Sequence, residues 1–123
     1  MFVLVVDDNL LSCTRLLSQL QGAGWQAAAV GLGAEGLTLA RQRRPAAIVV
    51  NLAPTTRDAS LFIRALKAEP DLTEIPVLGF CGHREKARRE AAMAAGCDQV
   101  VSNSAVSTGL STLVQALITR APV

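Results

Sequence analysis

The segment Ala46-Ala47-Ile48-Val49-Val50-Asn51 decides the fold of this chain. Its four apolar residues before Asn51 are continuous and mostly β-branched, with no alternation between apolar and polar side chains. This pattern is typical of a strand buried on both faces, inside a parallel sheet with helices above and below. A second such run, Phe2-Val3-Leu4-Val5-Val6, ends in Asp7-Asp8-Asn9. Because the carboxyl ends of central strands meet where the strand order reverses, we expect Asp7, Asp8 and Asn51 to share one crevice.

The composition fits one domain over residues 1–123. Hydrophobic residues make up 50% of the 123 residues, which is enough for a sizeable core, and the formal net charge is +2. This charge is too small to indicate nucleic-acid binding, and no apolar run approaches the roughly 20 residues of a membrane span. The first apolar run is short and leads directly into two carboxylates, so we expect no secretory leader. We therefore expect a cytoplasmic domain that binds neither nucleic acid nor membrane.

The cysteine and histidine content argues against a zinc site. Cys13, Cys81 and Cys97 lack metal-binding spacing, and His83 is the single histidine. The thiols are expected to be free, as in a reducing compartment.

Strand and helix patterns alternate along the whole chain. Further strands are predicted over residues 25–30, 75–80 and 100–101, a loop over 54–58, and a fourth helix over about 84–95 that Gly96 caps. The first helix is predicted to begin at Asp8 or Asn9 as N-cap. The apolar faces predicted for the first and third helices are Leu10, Cys13, Leu16, Leu17 and Leu20, and Leu61, Phe62, Ala65 and Leu66. Five βα units with short connections predict a doubly wound α/β fold, a five-stranded parallel sheet with helices on both faces.

Several motifs, in order and at matching spacing, resemble the response-regulator receiver (CheY-like) family over nearly the whole chain. They are Val5-Val6-Asp7-Asp8-Asn9, Gly33-Ala34-Glu35-Gly36-Leu37 with the segment from Pro45 to Asn51, the segment from Glu69 to Val77, and Gly96-Cys97-Asp98. The resemblance implies the flavodoxin-like, or CheY-like, (βα)5 fold with strand order 2-1-3-4-5.

The resemblance also implies a site, from which this chain departs. In the family an aspartate ends the third strand and accepts a phosphoryl group, beside an acidic pair that holds Mg²⁺. A Ser or Thr, an aromatic switch residue and a Lys complete the set. The matching positions here are Asp7 and Asp8 for the acidic pair, Asn51 for the acceptor, Cys81 for the Ser or Thr, Val100 for the aromatic residue and Asn103 for the Lys. The acidic pair is the part that this chain keeps.

These departures change the chemistry of the site. A carboxylate attacks phosphorus through an anionic oxygen, whereas the Asn51 amide has no formal charge and is not expected to accept a phosphoryl group. Asn103 cannot supply the cation that neutralises the transferred group. Because replacement of an Asp and a Lys by two Asn residues leaves the net charge unchanged, we expect a retuned site. In that site Asn51 donates an amide hydrogen bond to Asp7 or Asp8.

No cofactor is required by this interpretation. Asp7 and Asp8 could still hold Mg²⁺ weakly, together with a backbone carbonyl near Ala53. The alternative is that Asp8 mainly caps the first helix.

The function that the resemblance favours is a pseudo-receiver of two-component signalling, which is not an enzyme and acts by protein–protein contact. The face formed by the fourth helix, the fifth strand and the fifth helix would then bind the protein partner. This face carries Arg84, Lys86, Arg88 and Arg89, which suits an acidic partner, although a basic run of this kind is also typical of a solvated helix face. A homodimer is left open.

The alternative function is a thiol-responsive, redox-responsive or small-ligand-binding switch that uses Cys81 and the emptied crevice. His83 lies two residues from Cys81 and could lower the pKa of its thiol. The competing interpretation is that Cys81 is a buried small residue in place of Ser. A hydrolase with Cys81 and His83 lacks an orienting third group and an oxyanion site.

Overall fold

The structure is a computed structural model that describes residues 1–53 and 58–120. Within these ranges, five strands alternate with five helices. The strands are β1 (Phe2–Val6), β2 (Gln26–Val30), β3 (Ala47–Asn51), β4 (Val77–Cys81) and β5 (Gln99–Ser102). The helices are α1 (Leu10–Gly22), α2 (Ala34–Arg43), α3 (Ala59–Ala68), α4 (Lys86–Ala95) and α5 (Asn103–Thr119). Of the loop predicted over residues 54–58, all but Asp58 lies outside the described residues.

The sheet confirms the predicted topology. All four neighbouring strand pairs are parallel, and the strand order is β2-β1-β3-β4-β5. Every residue of β1, β3 and β4 is buried, as the continuous apolar runs predict for the first and third strands. No helix in residues 1–53 or 58–120 is both long and apolar enough to cross a membrane.

The core has one layer on each face of the sheet. Alternate residues of β1 and β3 point to opposite faces: Leu4 and Val50 join the layer under α2, α3 and α4, and Val5 and Val49 join the layer under α1 and α5. Helices therefore cover both faces, as predicted, and the carboxyl edge of the sheet is left for the site.

The predicted element boundaries differ from the structure by one or two residues. β4 begins at Val77 and not at Ile75, because the Ile75 N–H donates to the Leu72 carbonyl in a turn. α4 begins at Lys86, after a turn in which the Glu85 N–H donates to the Gly82 carbonyl. Gly96 caps α4 as predicted, with a left-handed φ of 111°.

Asn9 is the N-cap of α1. Its side-chain oxygen accepts a hydrogen bond from the Ser12 N–H at 3.0 Å. The alternative that Asp8 mainly caps this helix is wrong, because Asp8 Oδ1 accepts from the Leu32 N–H at 2.8 Å.

Two leucines predicted on buried helix faces are exposed. Leu10 is 82% exposed, because α1 starts at the carboxyl edge of the sheet and its first turn lies beyond the strand ends. Leu61 is 61% exposed. The buried face of α3 is Ala59, Phe62, Ile63 and Leu66, the helical i, i+3, i+4, i+7 set, and this orientation turns Leu61 outward.

α5 contains a break that a side chain of α1 bridges. Gly109 has non-helical angles (φ −157°, ψ 37°). Gln19 Nε2 donates to the Val106 carbonyl at 3.0 Å, and Gln19 Oε1 accepts from the Leu110 N–H at 3.3 Å. In an unbroken helix the Leu110 N–H would donate a hydrogen bond to the Val106 carbonyl, four residues earlier. The Gln19 side-chain amide therefore takes the place of one backbone hydrogen bond of α5.

Candidate functional site

The ends of β1 and β3 bring Asp7 and Asn51 into direct contact. Asn51 Nδ2 donates to Asp7 Oδ1 at 3.0 Å, and the two residues are 7% and 3% exposed. The amide hydrogen bond expected from the sequence is thereby confirmed, with Asp7 as the acceptor. Asn51 Oδ1 in turn accepts from the Ala53 N–H at 2.9 Å. Both ends of the amide are therefore held within the protein.

The two oxygens of the Asp7 carboxylate have different surroundings. Oδ1 accepts from Asn51 and also from the Asn9 N–H at 2.8 Å. Oδ2 is buried and has no hydrogen-bond partner among the described residues. An unsatisfied buried oxygen costs about 1–3 kcal/mol, and a carboxylate oxygen is the ligand that Mg²⁺ prefers. Asp7 Oδ2 therefore fits the acidic-pair Mg²⁺ site that the family resemblance implies.

The residues around Asp7 offer fewer anionic ligands than a site with three carboxylates would. Asp8 is exposed, and its Oδ1 atom is committed to the Leu32 N–H. Asn51 adds a neutral amide, whose oxygen already accepts from Ala53. Among residues 1–53 and 58–120, no group of three or more His, Cys, Asp or Glu residues is arranged to hold a metal ion. Any Mg²⁺ here would rest on two carboxylates, and its affinity would be correspondingly low.

Cys81 lies at the end of β4, where its side chain is 1% exposed. Burial raises the pKa of its thiol, and the nearby Glu85 carboxylate raises that pKa further, against smaller opposing effects of Arg89 and Arg88. The expectation that His83 could lower this pKa is therefore wrong, and His83 itself is exposed. The burial agrees with the competing interpretation, a small residue in place of Ser.

The two remaining site positions lie on β5 and at the start of α5. Val100 is half-buried and packs against the core layer under α4. Asn103 is the exposed first residue of α5, and it lines a groove that also contains Asn51. Ser102 caps the helix, since its Oγ atom accepts from the Ala105 N–H at 3.2 Å. Asn103 thus places an uncharged side chain at the edge of the crevice.

An ion pair at the start of α4 joins the two loops that follow Asn51 and Cys81. Arg88 Nε donates to Glu85 Oε1 at 2.8 Å, and Arg88 Nη1 donates to the Leu52 carbonyl at 3.2 Å. Glu85 Oε2 accepts from the Gly82 N–H at 3.2 Å. We call this set the Glu85–Arg88 bridge. Sequence reasoning missed it, although an acidic residue three positions before a basic one at a helix start was a signal for such a pair.

The basic run predicted as a partner face divides into two parts. Arg84, Lys86 and Arg89 are exposed, and we call them the α4 basic patch. Within it, Lys86 lies 3.7 Å from the Glu90 carboxylate, and Arg89 donates to the His83 carbonyl. Arg88 is instead turned towards Leu52, so it belongs to the site.

No family model matches this sequence. Among curated proteins, it is 26% identical to the polar-differentiation response regulator DivK of Brucella anthropi over 100 residues, which cover 81% of each chain. It is 31% identical to the transcriptional regulatory protein PrrA of Mycobacterium tuberculosis over 118 residues, which are 96% of this chain and 50% of PrrA. The chain thus spans half the length of that relative.

The solved structures show the same fold. The receiver domain of the sensor histidine kinase PA1611 from Pseudomonas aeruginosa, determined with a magnesium ion coordinated in its active-site cleft, superimposes with a TM-score of 0.86. It is 20% identical and covers 97% of this chain and 98% of that one. With the parallel 2-1-3-4-5 sheet, the acidic pair at its carboxyl edge and the similarity to DivK and PrrA, the chain is similar in sequence and in fold to the receiver domains of two-component response regulators.

Proposed function

We propose that this receiver domain is a pseudo-receiver, which signals by protein–protein contact, is not an enzyme and is not phosphorylated at residue 51. The observation that carries the proposal is the buried Asn51 amide. Its nitrogen donates a hydrogen bond to Asp7 Oδ1, and its oxygen accepts one from the Ala53 N–H. The amide nitrogen lone pair is delocalised, so Asn51 offers no anionic oxygen for attack on phosphorus. Asn103, at the position of the family's lysine, offers no cation for the transferred group.

The Glu85–Arg88 bridge supports independence from phosphorylation. It links the Leu52 carbonyl, next to Asn51, to the Gly82 N–H, next to Cys81. These contacts are all made between groups of the chain itself. We propose that the bridge holds the start of α4 in one arrangement, in which the α4 basic patch is presented to a partner.

A weak Mg²⁺ site is the second part of the proposal. Asp7 Oδ2 and the Asp8 carboxylate would hold the ion, and the ion would offset the negative charge of the acidic pair. Because position 51 supplies no third carboxylate, we expect occupancy at millimolar Mg²⁺ and no requirement for the ion in folding.

Acetyl phosphate, a small-molecule phosphodonor, tests the main proposal. The wild type and Asn51→Asp are each incubated with acetyl phosphate and Mg²⁺, and intact masses are recorded. We expect no added phosphoryl group on the wild type. An added phosphoryl group on Asn51→Asp would show that the acidic pair still supports transfer when an acceptor is present. An added phosphoryl group on the wild type would overturn the proposal, with Asp8 the first acceptor to examine.

The α4 basic patch is the surface that we propose for an acidic protein partner. Arg84, Lys86 and Arg89 are exposed, and attraction between them and an acidic surface would weaken with added salt. The test compares proteins captured from the native host by the wild type and by the triple variant Arg84→Glu, Lys86→Glu, Arg89→Glu. Arg64→Glu, at an exposed position on α3, is the control. A partner retained by the triple variant would contradict this assignment.

A further inference from the structure

We infer that α5 is a two-state helix, in which the Gln19 side chain holds open a break at Gly109 that closes when Gln19 leaves. Closure moves the N-terminal segment of α5, residues 103–108, relative to the C-terminal segment, residues 110–119. The inference does not rest on the proposed function, because it involves neither phosphorylation at residue 51 nor the α4 basic patch.

The backbone groups on either side of the break can be satisfied in two ways. In the structure, Gln19 Nε2 donates to the Val106 carbonyl at 3.0 Å, and Gln19 Oε1 accepts from the Leu110 N–H at 3.3 Å. In a continuous helix the Leu110 N–H donates directly to the Val106 carbonyl. The Gln19 amide is then hydrated, since this half-buried side chain lines a surface groove. Both forms pair the same two backbone groups, so their free energies are close.

Gly109 is the residue that permits both forms. Its angles in the broken form, φ −157° and ψ 37°, lie outside the helical region. Glycine has a weak helix propensity, because a helix restricts its backbone more than that of any other residue, and this favours the break. A Cβ built at this position in the broken form meets no described atom within 4 Å beyond its own helix and chain neighbours. Alanine at position 109 therefore fits without a clash and favours the continuous helix.

The two segments of α5 are anchored unequally. Among residues 103–108, all within the described part of the chain, Val106 is the single buried residue. The buried residues of the C-terminal segment are Leu110, Val114 and Leu117. The N-terminal segment also has internal support, because Thr108 Oγ1 donates to the Ser104 carbonyl at 3.0 Å. It therefore moves as a unit. Since Val106 must shift within a closely packed core when it moves, the broken form is the major one.

The moving segment forms one wall of a groove that reaches the candidate site. The groove has a volume of about 790 Å³, and Asn103 and Ser107 line it from the moving segment. Gln19 lines it from α1, and Asn51 lines it from the end of β3. Closure of the break therefore changes the position of Asn103 relative to Asn51. A change at the Gln19 amide is thereby transmitted to the edge of the crevice, by a route that does not include the switch position Val100.

NMR spectroscopy of the isotope-labelled domain tests the inference. We expect relaxation dispersion at residues 103–109 of the wild type, from exchange with a minor continuous form populated on the order of 1%. Residues 112–119 should show much less dispersion, because their buried side chains keep the C-terminal segment in place.

Two variants on different helices should shift this equilibrium in the same direction. Gly109→Ala should raise the ratio of the continuous to the broken form about fivefold, because alanine has the higher helix propensity. Gln19→Ala should raise it at least as much, because it removes both hydrogen bonds of the broken form. If one equilibrium is shifted, the chemical shifts of residues 103–105 in the wild type and the two variants should lie on one line.

Gly22→Ala and Gln21→Ala are the matched controls. A Cβ at Gly22 also meets open space, and Gln21 is exposed on the same helix as Gln19. Both should leave the resonances of residues 103–105 unchanged, and circular dichroism confirms that each variant is folded. Wild-type shifts at residues 103–105 in Gly109→Ala would overturn the inference. So would shift changes in Gly109→Ala and Gln19→Ala that point in different directions, or a wild type without dispersion at residues 103–109.

Discussion

Asn51 Nδ2 lies 3.0 Å from Asp7 Oδ1, and both residues are more than nine-tenths buried. The contact joins the ends of the two central strands through a neutral donor and a carboxylate. A carboxylate at position 51 would be a second acceptor at this distance, and the hydrogen bond could form only if one of the two groups were protonated. The amide therefore satisfies Asp7 Oδ1 without a cation, whereas the buried Asp7 Oδ2 has no hydrogen-bond partner among the described residues.

Asn51→Asp should reduce the free energy of unfolding by about 1–3 kcal/mol, because it removes a buried hydrogen bond and sets two carboxylates against each other. Mg²⁺ should restore part of this loss, since an ion bound to the folded state stabilises it. Urea unfolding with and without MgCl₂ measures both effects. Asn51→Ala, which removes the donor without adding charge, should be destabilised and show no comparable Mg²⁺ response. Equal stability of Asn51→Asp and the wild type in the absence of Mg²⁺ would contradict this account.

Glu85→Ala should speed hydrogen exchange at the Gly82 amide, whose N–H donates to Glu85 Oε2. The Glu85 and Arg88 side chains are 32% and 38% exposed, so we expect a loss of about 1 kcal/mol, or roughly fivefold in local opening. Arg88→Ala should have a similar effect by leaving the Leu52 carbonyl without this donor. Lys86→Ala is the control, since its pair with Glu90 is largely exposed. Unchanged Gly82 exchange in both bridge variants would show that the bridge does not hold the loop.

Gln19→Leu should destabilise the domain by about 1–3 kcal/mol, because Val106 O and Leu110 N lose their partner at the break in α5. The loss should be accompanied by faster amide exchange around Gly109. Gln21→Leu, at an exposed position of the same helix, is the control for adding a leucine to α1. If both variants unfold at the same urea concentration as the wild type, the inserted amide contributes nothing to stability.

Asp98→Asn should cost about 1.5–3 kcal/mol at neutral pH. Burial raises the pKa of Asp98, but hydrogen bonds from the Val77 N–H at 2.7 Å and Lys67 Nζ at 3.0 Å outweigh it, and the net pKa lies below the ordinary value. The stabilisation is thus fully present above about pH 3.9, the pKa in the unfolded chain, and is lost as the pH falls through the lower folded-state pKa.

The free energy of unfolding, measured at pH 7 and near pH 3, checks the direction of this pH dependence. The difference in free energy of unfolding between the wild type and Asp98→Asn should be smaller at the lower pH. Asp71→Asn, at a carboxylate that is 75% exposed and 3.7 Å from Arg44, should differ little from the wild type at either pH. A larger stability difference between the wild type and Asp98→Asn at pH 3 than at pH 7 would contradict the lowered pKa of Asp98.

The three thiols should resist alkylation in the folded protein. Burial raises the pKa of Cys97 to about 11, and it also raises the pKa values of Cys13 and Cys81. Because the thiolate is the reactive form, iodoacetamide at pH 8 should modify none of them natively and all of them in urea. Mass spectrometry counts the additions. Rapid native modification of Cys81 would revive the thiol-switch hypothesis.

The candidate site was predicted well where it depended on strand ends. Parallel strands deliver their last residues to one edge, so the runs ending at Val6 and Asn51 were enough to predict that Asn51 contacts Asp7 or Asp8, and the structure decided for Asp7. The resemblance supplied the strand order, which the structure confirms. The Glu85–Arg88 bridge was not predicted. Whether Arg88 reaches the Leu52 carbonyl depends on where the start of α4 lies relative to the loop at Leu52, and packing decides that position.

The sequence by itself determined the alternation of strands and helices, the burial of β1 and β3, and the replacement of a carboxylate by an amide at position 51. The first two follow from local periodicity, whereas the replacement at position 51 follows from the resemblance to the receiver family. The tertiary structure alone decided that Leu10 and Leu61 face solvent, that Asp8 turns to Leu32, and that Gln19 enters the break in α5. Each of these depends on how a helix is rotated and where it ends relative to the sheet. A pattern of apolar residues predicts that a helix has an apolar face. How the helix is rotated about its axis, and how much of that face is buried, depends on packing against the sheet.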